Sequence, residues 1–284
     1  MYVACHNQDC AVAASRIPFI PCAVAVIVWC GSVHAQWPQN RSSDVPRAAD
    51  GEVDSDARAP RTADGTPDLS GVWTAGPGTF ARGQPTGFSY PGPDVAYATT
   101  SLIAPFGIMR RTEYGDALFK ARQAADSRDN PRSHCLPMGI VQLHTSALPA
   151  RYVHSASQLV ILYEGNMERR EIFLDGRPLP GPDAQPLWNG YSVGRWDGDA
   201  LVVETTKFRD GGWLDMSGNP LTDAGRVTER IRRPAYGRME IDILIEDRKA
   251  YERPFKVRRN QRLVPDQELI EFVCAENNKF PRFR

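Results

Sequence analysis

From Arg151 onward, apolar and polar positions alternate in short runs separated by turn residues. A period of two is the mark of a half-buried strand. Tyr152–Tyr163 reads as one long alternating strand. Arg169–Leu174, Gly190–Trp196, Ala200–Phe208, Arg226–Arg233, Gly237–Glu246, Pro254–Leu263 and Leu269–Cys274 follow it. Asp175-Gly176 and Asp197-Gly198 between runs are hairpin chemistry, because glycine takes a positive φ without strain. Upstream, Leu69–Trp73 reads as a first strand. Thr112–Ala125 predicts the one helix, with Thr112 as its cap and Tyr114, Leu118, Ala121 and Ala125 on one face. This many strands at short spacing predict a mainly β fold, an antiparallel sandwich or barrel. Closing the sheet removes its edges, and a barrel of about eight strands has room for one small ligand.

The remaining stretches lack such a period. Residues 76–107 are rich in Gly and Pro and carry Phe80, Phe88, Tyr90 and Tyr97. A loop this long is either a lid that packs down through its aromatics or a plain surface loop. Residues 36–61 are polar and charged, with little apolar area to offset ordering entropy, so they predict a flexible linker. Residues 62–284 are then a single β-barrel-like domain.

The N-terminus changes the expected compartment. Arg16 precedes the apolar run Ile17–Trp29, and Val33-His34-Ala35 suits signal peptidase, so residues 1–35 read as a signal peptide cut after Ala35. The alternative is a membrane anchor, but Pro18 and Pro21 interrupt a run already shorter than the ~20 residues a spanning helix needs. A periplasmic or secreted protein with no stable membrane insertion after cleavage is expected. Cys135 and Cys274 then remain of six cysteines. An even pair in an exported chain reads as a disulfide, and a loop of roughly 140 residues gives it up to about 4–5 kcal/mol in the chain-entropy model. A metal or nucleophilic thiol is the rival, yet nothing stands at C-x-x-C spacing and His134 alone does not make a site. The 34 Lys and Arg balance 34 Asp and Glu along the whole chain. That balance, with no basic block, argues against nucleic acid as a partner. The oligomeric state leaves no mark in the sequence.

Strand parity selects the candidate chemistry. Glu229 shares a face with Val227 and Ile231, Glu204 with Val202 and Phe208, and Glu271 with Leu269 and Val273. A carboxylate among apolar neighbours takes a partner or a proton, which makes these three candidate acid–base groups. The alternative is that each is buried against an arginine from a neighbouring strand, or that both faces of its strand are half wet. His154, by parity with Val160 and Leu162, faces the interior and is the best-placed histidine for proton transfer near neutral pH. His134 and His144 fall in loop-like stretches, and no metal site is expected. No G-x-S-x-G elbow, P-loop or dinucleotide fingerprint occurs, so no cofactor is expected. The glycine spacing in Gly190-Tyr191-Ser192-Val193-Gly194 is read as strand packing or chance. Aromatic walls with a few polar groups define small-molecule pockets. Trp188 and Trp213 lie beside strands where a pocket rim belongs, with Tyr191 near them. Arg177 and Arg230 are candidates to hold a ligand's negative charge.

Gly71-Val72-Trp73 resembles the G-x-W that opens lipocalin and other calycin barrels. A broader resemblance rests on Ala63-Asp64-Gly65-Thr66-Pro67-Asp68-Leu69-Ser70-Gly71-Val72-Trp73, on Ile172–Thr205 with Asp175-Gly176-Arg177 and Trp196-Asp197-Gly198-Asp199, and on Glu271-Phe272-Val273-Cys274-Ala275-Glu276-Asn277. Over nearly all of residues 62–278 the chain resembles a large family of exported bacterial proteins with no settled activity. That resemblance implies export and a calycin-like barrel. Members of that family often carry Leu-His before the Val-Thr-Glu-Arg strand, where this chain has Gly225-Arg226. They also usually carry proline at the position of Arg248. Two functions fit this reading. One is a protein that binds an apolar or aromatic small molecule in the barrel cavity. The other is a cofactor-independent isomerase, hydratase or lyase in which Glu229 or His154 moves a proton while Arg177 or Arg230 steadies negative charge.

Overall fold

The computed structural model describes residues 41–74, 109–146 and 148–276. The expected signal peptide and the whole Gly/Pro-rich loop of residues 76–107 lie outside the described residues.

Nine strands close into a barrel. They are β1 (Gly71–Thr74), β2 (Ala150–His154), β3 (Gln158–Tyr163), β4 (Arg169–Phe173), β5 (Tyr191–Asp197), β6 (Ala200–Thr206), β9 (Arg226–Ala235), β10 (Arg238–Glu246) and β11 (Phe255–Leu263). The order around the barrel is β1-β11-β10-β9-β6-β5-β4-β3-β2, with β1 paired to both β2 and β11. A separate two-stranded ribbon joins β7 (Gly212–Trp213) to β8 (Pro220–Leu221). The fold is mainly β and consistent with the calycin-like barrel expected, with one correction to its topology. The β4–β5 pair is parallel, while every other barrel pair is antiparallel.

Parity works where the two faces of a strand differ in chemistry. On β10, Met239, Ile241, Ile243 and Ile245 are buried in the interior. The opposite face carries Glu240 and Asp242, which pair with Arg232 and Arg258. The predicted strand Tyr152–Tyr163 is instead two strands around a turn at Ser155–Ser157, with His154 opposite Leu159. The inward residues of β3 are therefore Leu159, Ile161 and Tyr163, while Leu162 is exposed. The run Leu269–Cys274 forms no strand.

The helix α1 (Glu113–Ala124) is capped as expected, Gly115 N donating to Thr112 Oγ1 at 3.1 Å. Its buried face is not the predicted one. Tyr114, Ala121 and Ala125 are exposed, and the helix meets the protein through Gly115 and Arg122. A Cβ at Gly115 would stand 2.2 Å from Ala250 O, so only glycine allows this approach. Arg122 lies over the Trp213 ring at 4.9 Å and donates to Gly218 O at 3.0 Å. A shorter helix, α2 (Ile140–Thr145), contributes the fully buried Ile140 and His144.

Two further segments are tied to the barrel. Residues 41–61, expected as part of a flexible linker, pack along it: Arg47 pairs with Asp266 at 2.7 Å, and Tyr236 N donates to Ala57 O at 2.8 Å. Polar contacts do here what the segment's scarce apolar area does not. Cys135 and Cys274 form the expected disulfide, with Cα atoms 5.5 Å apart, which fixes the chain after β11 to the turn before α2.

Candidate functional site

The barrel interior carries a cluster of buried ionisable side chains. Glu229, on β9, is fully buried. Its Oε1 lies 2.6 Å from His144 Nε2 and accepts from Arg170 Nη1 at 3.0 Å, and Arg170 Nη2 donates to its other oxygen. Arg170 projects from β4 and also donates to Ser192 Oγ at 3.2 Å and Thr205 Oγ1 at 3.0 Å. Burial alone drives the Glu229 carboxyl up, but the Arg170 guanidinium and the His144 ring outweigh it and hold the group well below the ordinary carboxylate range. Burial likewise opposes the charge on Arg170, and Glu229 keeps it protonated. The phenols of Tyr152 and Tyr163 are pushed up, chiefly by burial. Glu229 and Arg170 thus form a closed ion pair with its hydrogen bonds nearly filled, the carboxylate ionised and the guanidinium protonated at neutral pH.

The same Arg170 and Ser192 also line a cleft of about 560 Å³ between β4 and the chain that leads into β5. Its cause is the parallel seam. β4 and β5 share only Ile172 opposite Ser192 and Phe173 opposite Val193. Ahead of β5, the chain leans toward the end of β6 instead, with Leu187 N donating to Lys207 O at 2.8 Å and Arg209 N to Leu187 O at 2.9 Å. Gly190 turns the chain back at φ +64°, where a Cβ would meet Thr205 Cγ2 at 2.7 Å. The two strands therefore diverge, and the gap between residues 166–171 and 187–190 is the cleft.

Aromatic and polar groups occupy different parts of it. Phe173, Trp188 and Tyr191 line the cleft, Phe173 and Tyr191 being stacked at 5.2 Å. Glu168, on the same lining, is buried. Its carboxyl accepts from Met138 N at 2.8 Å and from Asn189 Nδ2 at 3.0 Å. Burial pushes this carboxyl up, against the pull of those amide donors. The Oδ1 of Asn189 is buried with no partner among the described residues. Met167 and Leu187 stand exposed on the cleft's rim.

A second groove of about 630 Å³ runs between residues 42–45 and the barrel rim, lined by Asp68, Arg233, Tyr236 and Asp266. Arg233, Asp266 and Asp68 there are already engaged. Arg233 donates to Asp68 O and Tyr236 O at 2.6 Å each, Asp266 pairs with Arg47, and Asp68 lies 3.7 Å from His154.

The residues singled out from sequence fall in several places. Trp188 and Tyr191 line the cleft. Arg177 stands beside it, 3.8 Å over the Phe173 ring and paired with Asp175. Trp213 is buried beneath Arg122 and meets Trp188 only at a small void of about 10 Å³. Arg230 lies on the outer face, paired with Asp197 at 2.6 Å, away from the cleft. Glu204 also points outward, to Arg195 and Arg226, because the inward face of β6 is Leu201, Val203 and Thr205. Glu271 is exposed in an irregular segment. His154 contacts Asp68 and Trp196 and touches none of Glu229's partners. Sequence reasoning missed His144, Glu168, Arg170, Ser192 and Thr205. Arg170 was within its reach, since it shares parity with the buried Ile172. Among the described residues no three His, Cys, Asp or Glu side chains are placed to hold a metal ion.

No protein-family model, curated protein or solved structure matches the chain.

Proposed function

We propose that this is an exported protein that binds a small planar aromatic molecule in the β4–β5 cleft. The observation that carries the reading is the union of an aromatic wall, Phe173, Trp188 and Tyr191, with a sparse polar floor, Glu168 and Asn189, in one concave surface of drug-like size. The barrel interior supports it less well as a binding chamber. Its inward positions hold packed side chains such as Leu159, Ile161, Ile172 and Leu201, together with the Glu229–Arg170 pair. Export rests on the disulfide, which suits an oxidising compartment, and on the likeness to an exported bacterial family. Among the described residues no helix is long and apolar enough to cross a membrane.

Native mass spectrometry of the chain made with its own N-terminus and recovered from the periplasm tests this. The expected result is a small aromatic passenger that is lost on denaturation and absent from a Trp188→Ala variant. A bare native mass, with no aromatic compound retained by equilibrium dialysis at millimolar concentration, sinks the proposal.

A second reading, cofactor-independent proton transfer, has one observation in its favour. Glu168 is a buried carboxyl, raised by its surroundings, on the wall of a cleft. Glu229 and His154 do not serve that reading: one is locked in an ion pair, the other lies beside Asp68.

A further inference from the structure

Pairing off the charged side chains on the cleft's own lining leaves one over. Arg170 is neutralised by Glu229, and Arg169 stands 3.7 Å from Glu171. Arg177, beside Phe173, is neutralised by Asp175. Glu168 is different. The donors on its carboxyl are all neutral, the Met138 N–H and the side-chain amides of Asn189 and Asn166, and among the described residues no Arg, Lys or His nitrogen lies within ion-pair distance. Arg132 acts on it only from further away. A buried carboxylate without a cation is costly, and the ordinary solutions are a counter-charge or a proton.

The rest of the wall favours the counter-charge. Beside Glu168 the Asn189 side-chain oxygen is buried with no partner among the described residues, a second polar group left short of a donor. The aromatic rings nearby take cations on their faces: Arg177 sits over Phe173 at 3.8 Å, and Arg209 over Trp188 at 5.4 Å. Flat rings beside a lining carboxylate that has no ion-pair partner match a planar aromatic group that bears a cationic N–H donor.

We infer that the cleft selects aromatic cations, amines or amidinium groups on a flat ring, and that Glu168 is the residue that sets this preference. The inference rests on the reading of the cleft as an aromatic binding site. The raised carboxyl of Glu168 agrees with it, since a cationic ligand supplies the charge that burial makes the group lack. Glu168→Gln keeps the shape and the acceptor for Met138 N, while turning Asn189 over lets its side-chain oxygen accept from the new amide. The fold is therefore expected to persist, which an unchanged thermal midpoint would check.

Benzamidine, benzamide and benzoate share one shape and differ in charge. Calorimetric titration of the full chain with each is the test. The expected order is benzamidine, then benzamide, then benzoate. The first step is roughly tenfold or more, the scale of one charge-assisted hydrogen bond. In Glu168→Gln, benzamidine loses its advantage over benzamide. Equal affinity for all three, tighter binding of benzoate, or a benzamidine preference that survives Glu168→Gln overturns the inference while leaving an aromatic site standing. If none of the three binds, the aromatic cleft itself fails, and this inference with it.

Discussion

Glu204 and Glu229 occupy adjacent strands one register step apart, Glu204 opposite Thr228 and Val203 opposite Glu229, yet they face opposite sides of the sheet. Each is held by two side chains, Arg195 and Arg226 for the first, His144 and Arg170 for the second. The side chain of Glu204 keeps 19% of its surface in water and that of Glu229 keeps none. Water screens the first pair and satisfies its spare lone pairs, so its loss is cheap. The second has no solvent to fall back on, so its partners are obligatory. The same residue type with the same kind of partners is thus surface decoration in one place and an internal keystone in the other.

The largest effect is expected from Glu229→Gln, which leaves Arg170 charged and unpaired. A loss of about 3–5 kcal/mol in urea unfolding is predicted, the range for breaking a buried pair from one side. Removing both partners separates charge from packing: Arg170→Met with Glu229→Met should recover most of that loss, because well-packed apolar residues replace buried pairs at little net cost. A double variant as unstable as the single one would mean that the hydrogen bonds to Ser192 and Thr205, not the pair, hold the interior.

Acid gives a third test. A carboxyl depressed in the folded state stabilises the protein fully above its unfolded pKa of about 4.3, and that stability is lost as pH falls below this value toward the folded one. Unfolding midpoints should therefore drop steeply below about pH 4 in the natural chain, and much less in Glu229→Gln. An equal drop in both would assign acid sensitivity to other carboxylates. The smallest effect is expected from Glu204→Gln, less than about 1 kcal/mol and erased by salt.

How far the sequence announced this arrangement follows from the same two strands. β9 was legible because Arg226, Thr228, Arg230 and Arg232 set its outer face apart from Val227, Glu229 and Ile231. β6 reads Ala-Leu-Val-Val, and its outward Val202 is covered as well as its inward Val203, so parity had nothing polar to anchor on. The turn at Ser155–Ser157 carries no glycine, and by joining two strands it reversed the assignment of Val160 and Leu162. Glu229's partners lie 85 and 59 residues away, on a six-residue helix and on a strand across the barrel. Such closeness belongs to tertiary structure and leaves no local pattern. The cleft was half visible, through Trp188 and Tyr191. Its cause, a parallel seam within an otherwise antiparallel barrel, has no signature in a single strand.

The central claim is that recognition happens in the cleft and that the barrel interior is its support. The direct test is the affinity of benzamide for two variants placed on either side of that boundary. Trp188→Ala removes cleft wall, and Tyr163→Phe removes a buried interior hydroxyl beside Arg170. A loss of roughly tenfold or more in Trp188→Ala, with Tyr163→Phe unchanged, is the result predicted for a stacked ring. Weakened binding in Tyr163→Phe with Trp188→Ala intact would put the ligand inside the barrel and contradict it.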